Sequence, residues 1–283
     1  MKTTNLIVLP VACAAMFFAG CATTRCEPAY DTLIAHRGES KDAPENTMPA
    51  YRMAVDRGFG FECDVYLSSD KRVFGFHDTN LKRTTGVDIP CTKASWADVV
   101  SKVDAGAWKG EQWKGTRPPL FEEILTLARD GRRIYIEVKG NETEIVPYIK
   151  DILAKQSNAT PGNVLFIAFG KEVCRELKKQ MPEYRTYWLT GCTRGRKGPA
   201  IPPEEIIATL KDLGVDGVDQ QFRPSVVTAE YIAAIRSAGF EYHCWTIDTL
   251  DVACQAFERG AQTVTTNCAK KLLDEYRAIS ANM

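Results

Sequence analysis

An α/β chain closed into a TIM (β/α)8 barrel, with a small insertion after the β2 hairpin, is what the sequence predicts, on three observations. Short apolar stretches alternate with amphipathic helical ones along the chain. One further strand sits too close to its predecessor for a crossover, and setting it aside leaves eight, the number that closes a barrel. One stretch, 78–119, lacks strand signal.

Taken in order, the eight strands are Thr32–His36, Phe61–Val65, Ile134–Lys139, Val164–Phe169, Thr186–Leu189, Gly214–Val218, Glu241–Ile247 and Thr263–Thr266. Helical patterns lie at Thr47–Arg57, Phe121–Asp130, Glu144–Lys155, Lys171–Gln180, Pro203–Leu213, Thr228–Ala238, Leu250–Arg259 and Ala269–Ile279. Asn46 or Thr47 is the expected cap of the first helix, and glycines such as Gly214 and Gly239 close later ones. Repeated alternation of this kind implies a parallel sheet with helices packed outside it. Strand Arg72–His77 follows Phe61–Leu67 after only a few polar residues, whereas a parallel crossover takes a dozen or more, so the two form an antiparallel hairpin. The 78–119 stretch, with a short helical pattern around Ser95–Val103, is read as an excursion packed over one barrel end.

With 283 residues, 45% hydrophobic and 25% charged, the chain can bury one large core. Lys+Arg and Asp+Glu both number 36. That balance argues against nucleic acid as a partner, and any phosphate site must be built locally by a few placed cations.

Residues 1–20 read as a targeting segment. Lys2 precedes the apolar run Leu6–Phe18, which is too short to span a bilayer. Phe18-Ala19-Gly20-Cys21 resembles a bacterial lipobox, although Phe stands where Leu is commoner. The expectation is export and a membrane lipid anchor at Cys21, periplasmic or cell-surface, with ordinary signal cleavage as the plainer alternative. Residues 21–30 form a linker, and 31–283 one barrel domain. Of ten cysteines, Cys26, Cys63, Cys91, Cys174, Cys192, Cys244, Cys254 and Cys268 remain after the leader and the anchor. They are as readily small buried apolar residues as bridges.

His36 ends the first strand in Ile34-Ala35-His36-Arg37-Gly38, and His77 ends the hairpin strand. Strand C-terminal ends are where barrel enzymes gather their chemistry. Glu62 and Asp64, two apart on one strand, share a face, and Cys63 between them points to the opposite layer. Glu137 is a third inward carboxylate on the neighbouring strand. Buried like charges need neutralising, either by a hard cation, Mg²⁺ or Ca²⁺, or by a salt-bridge network with Arg37 and Lys139.

The segments His36-Arg37-Gly38, Ala43-Pro44-Glu45-Asn46-Thr47, Glu62-x-Asp64-Val65 and His77-Asp78 together resemble the glycerophosphodiester phosphodiesterase signature. Leu81-x-Arg83-Thr84-Thr85-Gly86, Pro119-x-Phe121-Glu122-Glu123, Ile136-Glu137-Val138-Lys139 and Trp245-Thr246-Ile247 are similar to further segments of that family. The resemblance implies a metal-dependent barrel that hydrolyses glycerophosphodiesters to glycerol 3-phosphate and an alcohol. His36 and His77 would be the acid–base pair. Glu62, Asp64 and Glu137 would hold one divalent cation, Mg²⁺ or Ca²⁺. Arg37 and Lys139 would contact phosphate, and Trp245 would wall the glycerol. A phospholipase D-like action on lysophospholipids is the alternative.

Asn46 is assigned to helix capping, Glu45 to orienting its neighbours, and His243 to a packed position deep in the barrel. Three departures from the family pattern stand out: Glu39 after Gly38, Asp248 after Trp245-Thr246-Ile247, and Thr265-Thr266-Asn267 where a Thr-Asp pair is usual. None is expected to touch the acid–base or metal residues, and all three are expected at the pocket that reads the alcohol.

Overall fold

The computed structural model describes residues 27–281, so the expected leader, Cys21 and Cys26 lie outside the described residues. Eight parallel strands close into a barrel: β1 (Leu33–Ala35), β2 (Gly60–Leu67), β4 (Ile134–Val138), β5 (Val164–Ala168), β6 (Thr186–Thr190), β7 (Gly217–Gln221), β8 (Glu241–Trp245) and β9 (Thr263–Thr266). Closure is made by β1, which pairs in parallel with both β2 and β9. The remaining strand, β3 (Val73–Gly75), pairs antiparallel with the end of β2, placing Val65 opposite Gly75 and Leu67 opposite Val73.

Outside the barrel lie α1 (Met48–Asp56), α3 (Phe121–Leu125), α4 (Ile145–Leu153), α5 (Lys171–Gln180), α6 (Pro203–Leu213), α7 (Ala229–Ser237), α8 (Leu250–Glu258) and α9 (Ala269–Ser280). Their apolar faces and the outward residues of the strands form one continuous core that includes Tyr51, Phe61, Cys63, Ile136, Val146, Phe166 and Leu272. Cys63 thus packs outward between two inward carboxylates, as strand alternation requires. Inside the barrel, Ile34, Tyr135, Leu165, Ile167, Tyr187 and Leu189 form a second cluster. His243 belongs with them: 1% exposed, its ring lies 4.4 Å from that of Tyr187 and its Nδ1 is 2.7 Å from the Thr263 hydroxyl.

Residues 78–119 hold no strand, only α2 (Lys82–Thr85) and three 3-10 turns. The expected helical pattern around Ser95–Val103 condenses to a turn at Val100–Lys102. The segment packs on the hairpin through Tyr66, Phe74, Phe76, Leu81, Cys91, Trp96 and Val100. Asp70 in the hairpin turn fastens it further, accepting hydrogen bonds from the backbone N–H of Trp96 at 2.7 Å and of Ala97 at 3.1 Å. Cys63, Cys91, Cys174, Cys192, Cys244, Cys254 and Cys268 are all free thiols.

The sixth barrel strand corrects the sequence reading, which began it at Gly214. Gly214 has φ 66° and ends α6 in the left-handed conformation, its N–H returning to the last helical turn. Val215 then packs into the helix–sheet core, and the strand runs over Gly217–Gln221. Apolar content alone does not separate a helix stop from a strand start, and the shift brings Asp219 onto an inward position.

Gly38 answers a stricter demand. Its φ is +77°, and a Cβ there would meet the Ala50 carbonyl carbon at 2.5 Å. Gly38→Ala is expected to lose more than about 2 kcal/mol of stability, from left-handed strain together with a backbone clash. Urea unfolding checks this as a lower midpoint at an unchanged m-value.

Candidate active site

The C-terminal ends of the strands open onto a cavity of about 250 Å³. His36, Arg37, Glu62, His77, Glu137 and Lys139 line one half, and Ile167, Phe169, Leu189, Asp219, Trp245, Thr246 and Thr265 the other. Asp64 lies below this surface, completely buried.

Register explains why the acids meet. In the parallel pairing of β2 with β4, Asp64 lies opposite Glu137 and Glu62 opposite Tyr135, so the three carboxylates converge from two adjacent strands. One oxygen of each lies within 4.8 Å of the others. Glu62 is 2% exposed and Glu137 8%.

Such crowding controls their ionisation. Burial, with the charges of Asp64 and Glu137, pushes Glu62 well above the usual carboxylate range. Burial opposes ionisation of Asp64 too, but Lys139, His77, Arg37 and the Asn46 amide outweigh it and hold the carboxyl low. Glu137 is pushed up to about 8 by burial and then by Asp64, despite Lys139 Nζ at 2.6 Å. Lys139 also stands 3.2 Å from Asp64 Oδ1, and Arg37 Nε 3.6 Å from Asp64 Oδ2. Two cations therefore face three acids. Glu62 Oε1 is buried without a hydrogen-bond partner. A hard divalent cation fits this set: it would take the orphaned oxygen and supply the missing positive charge.

Asn46 departs from its assigned role. It has φ 53°, and Thr47 occupies the helix-cap position with no side-chain cap bond. The Asn46 amide donates to Asp64 Oδ2 at 2.7 Å, while its oxygen accepts from Tyr51 Oη at 2.7 Å and from the Asp64 N–H at 3.1 Å. It is a clamp on the buried acid.

Each histidine at the mouth has its Nδ1 held. His77 Nδ1 is 2.7 Å from Asp78 Oδ1. His36 Nδ1 is 2.7 Å from Asn267 Oδ1. Asn267 donates its amide to Asp248 Oδ2 at 2.7 Å, and a carboxylate only accepts, so the Asn267 oxygen is the atom facing His36. Both imidazoles carry their proton on Nδ1, leaving Nε2 for chemistry, and His36 Nε2 lies 4.0 Å from Glu62 Oε2. Burial, then Arg37, lowers His36 to about 4; burial foremost also lowers His77.

Of the three departures, Asn267 thus touches His36 and Asp248 stands behind it through Asn267, and neither lines the cavity. Glu39 is not at the mouth either. It is 1% exposed and faces Arg57 Nη1 at 3.3 Å and the Lys270 N–H at 3.2 Å. Thr265 does line the cavity.

Glu45 orients its neighbours as expected, accepting from Arg37 Nη1 at 2.7 Å. Arg83, on α2, joins the two sides of the mouth. It donates to both Glu45 oxygens, at 2.7 and 2.9 Å, and through Nε to Asp78 Oδ2 at 2.6 Å. Arg83 and Asp78 stood within the recognised segments, but their sequence carried no sign of this link. Trp245 Nε1 donates to the Asp219 backbone carbonyl at 3.1 Å, and its ring meets Phe169 edge to face at 5.7 Å.

The model of the glycerophosphoryl diester phosphodiesterase family matches residues 36–271. A glycerophosphodiester phosphodiesterase of Caldanaerobacter subterraneus subsp. tengcongensis is 25% identical over 254 residues, covering 87% of this chain and 97% of that protein. Human lysophospholipase D GDPD1 is 25% identical, over 88% and 87% of the two chains. Among solved structures, an Oleispira antarctica phosphodiesterase in complex with the product sn-glycerol-3-phosphate shares the fold, with a TM-score of 0.76 at 24% identity over 87% of this chain and 96% of that one. With a matching family model over most of its length and the same barrel, the chain belongs to the glycerophosphoryl diester phosphodiesterase family.

Proposed function

We propose that the protein hydrolyses glycerophosphodiesters to glycerol 3-phosphate and an alcohol, with His36 and His77 as the acid–base pair and one divalent cation, Mg²⁺ or Ca²⁺, held by Glu62, Asp64 and Glu137. One observation carries the reading: two Nδ1-anchored imidazoles and three converging carboxylates border the same cavity, with Arg37 and Lys139 beside them.

A phosphodiester brings negative charge that repels a nucleophile. Arg37 and Lys139 supply fixed positive charge there, and although burial opposes it, the carboxylates of Asp64 and Glu137 keep Lys139 protonated. The bound cation would add charge neutralisation at the phosphoryl oxygens. A neutral imidazole with a free Nε2 takes a proton from the attacking hydroxyl. Its counterpart, entering as the imidazolium with a second proton on Nε2, delivers that proton to the departing alkoxide. Asn267 and Asp78 fix the two ring orientations throughout. Ile167, Leu189 and Trp245 keep water from the apolar side.

A phospholipase D-like action on lysophospholipids is the second reading. The observation in its favour is the apolar rim, where Phe169 is 49% exposed against Trp245. The cavity volume favours the first reading, since about 250 Å³ suits a glycerol phosphate and leaves an acyl chain outside.

We propose also that the chain is exported and lipid-anchored at Cys21, on the apolar run Leu6–Phe18 and the segment Phe18-Ala19-Gly20-Cys21. Cys21→Ala is expected to move the protein from the detergent phase to the aqueous phase on phase separation; unchanged partitioning would overturn the anchor.

Purified protein is expected to release glycerol 3-phosphate from glycerophosphocholine, and faster than it releases lysophosphatidic acid from lysophosphatidylcholine. His36→Ala and His77→Ala should each lower kcat by about 10²- to 10⁴-fold with the fold intact. Wild-type kcat in either variant would sink the acid–base assignment, and the reverse substrate preference would favour the second reading.

Cation binding should release protons. Glu137 stays protonated up to about pH 8 without a cation, so an ion must displace that proton. Apparent affinity is therefore expected to rise at least about tenfold per pH unit below 8, and to keep rising above it while Glu62, also held protonated, still has a proton to lose. A raised folded-state value also means stability present at low pH and lost as pH rises through about 8, a loss the bound cation should abolish. Calorimetric titration in buffers of different ionisation enthalpy, with melting curves at pH 5, 7 and 9 as roughly spaced points, measures both. Absence of proton release would exclude this carboxylate cluster as the binding site.

A further inference from the structure

Two polar groups interrupt the apolar half of the cavity. The Asp219 carboxyl is 1% exposed with neither oxygen hydrogen-bonded, and the Thr265 hydroxyl is 2% exposed and likewise unpartnered. They come from β7 and β9, on either side of the strand that carries Trp245. Buried polar groups without partners are costly and rare in native interiors, so two that border one cavity call for a ligand. Trp245 does not satisfy them, because its indole N–H is spent on the Asp219 backbone carbonyl.

The chemistry of the pair selects what that ligand is. Burial alone pushes Asp219 up to about 8, so at neutral pH it is a carboxylic acid with one donor and spare acceptor capacity. A threonine hydroxyl likewise both donates and accepts. Adjacent alcohol groups, each donor and acceptor, match such a surface, whereas the methyl groups of a quaternary ammonium would leave it unpaired.

Resting on the phosphodiesterase reading, we propose that Asp219 and Thr265 hydrogen-bond the hydroxyl groups of the glycerol moiety, with Asp219 as the specificity-determining residue of this end of the cavity. Glycerol then lies against Trp245 and Leu189. The departing alcohol points the other way, past His77 into the wider cleft bordered by Asp78, Asn80, Lys82 and Arg83. That cleft shares His77 and Lys139 with the inner cavity, so one diester can occupy both.

Binding, not turnover, tests this, because removing a glycerol hydroxyl could also remove a nucleophile. Dissociation constants for glycerol 3-phosphate and for n-propyl phosphate are measured by calorimetry, with Mg²⁺ or Ca²⁺ present, on wild type, Asp219→Leu and Asp219→Asn. Wild type is expected to favour glycerol 3-phosphate by about 10- to 100-fold. Asp219→Leu should bring that ratio close to one, while Asp219→Asn, also neutral with donor and acceptor, retains most of it. An unchanged ratio in Asp219→Leu, or a wild type that binds both phosphates equally, would overturn the glycerol assignment and leave the phosphodiesterase reading standing. A wild type that binds neither would instead count against the phosphodiesterase reading itself.

Discussion

Three carboxylates forced together at one end of a barrel set the terms for everything around them. Parallel pairing of β2 with β4 puts Asp64 opposite Glu137, and strand periodicity puts Glu62 on the same inward face. None can turn to solvent, since all three are less than 10% exposed. A site of this kind is stable only where its charge is met, and the chain meets it in part. Asn46 clamps Asp64, while Lys139 lies between Asp64 and Glu137. What is left over falls on Glu62 and Glu137, whose ionisation is disfavoured, and Glu62 Oε1 and Asp64 Oδ1 stay without a hydrogen-bond partner. The unmet charge makes the site receptive to a cation.

Around those acids the mouth is tied together through residues distant in sequence. Arg83, brought over by the 78–119 segment, holds Glu45 and Asp78 at once, and so couples the orientation of Arg37 to that of His77. The segment is itself fixed by the Asp70 turn and by its own small core on the hairpin. On the opposite side the chain of contacts runs from Asp248 through Asn267 to His36. Both imidazoles thus have a partner on Nδ1, but of different kinds. A carboxylate backs Nδ1 of His77 and an amide backs Nδ1 of His36, while the Asp64 charge favours the charged form of both.

The sequence was legible wherever local periodicity governs position. Glu62 and Asp64 share a face because they are two apart, Cys63 turns to the outer core for the same reason, and the short polar turn before Arg72 allows only a hairpin. The strand count, and with it the barrel, followed from such signals. What stayed hidden depends on contacts far apart in the chain. Asn46 has the chemistry of a helix cap and stands beside a helix start, yet its amide finds Asp64, 18 residues away. Asn267 meets His36 across 231 residues, a contact that exists only once β9 closes against β1. Asp219 was hidden by a boundary: starting the strand at Gly214 left it outside the element that turns it inward.

Acids and apolar groups occupy opposite halves of the cavity because they come from different strands. The charged half is built by β1, β2, β4 and the hairpin, the other by β5 to β9. Groups on the first set are tied into one electrostatic network, so a change at any of them is felt at Asp64 or at a histidine. Positions on the second set carry no such constraint, except through Asn267 and its partner Asp248. A barrel divided in this way can vary the group it recognises on β6, β7 and β8 while the charged half stays as it is. Asp219 belongs to the variable half, and in an apolar wall a single neutral carboxyl is enough to change which ligand surface is matched.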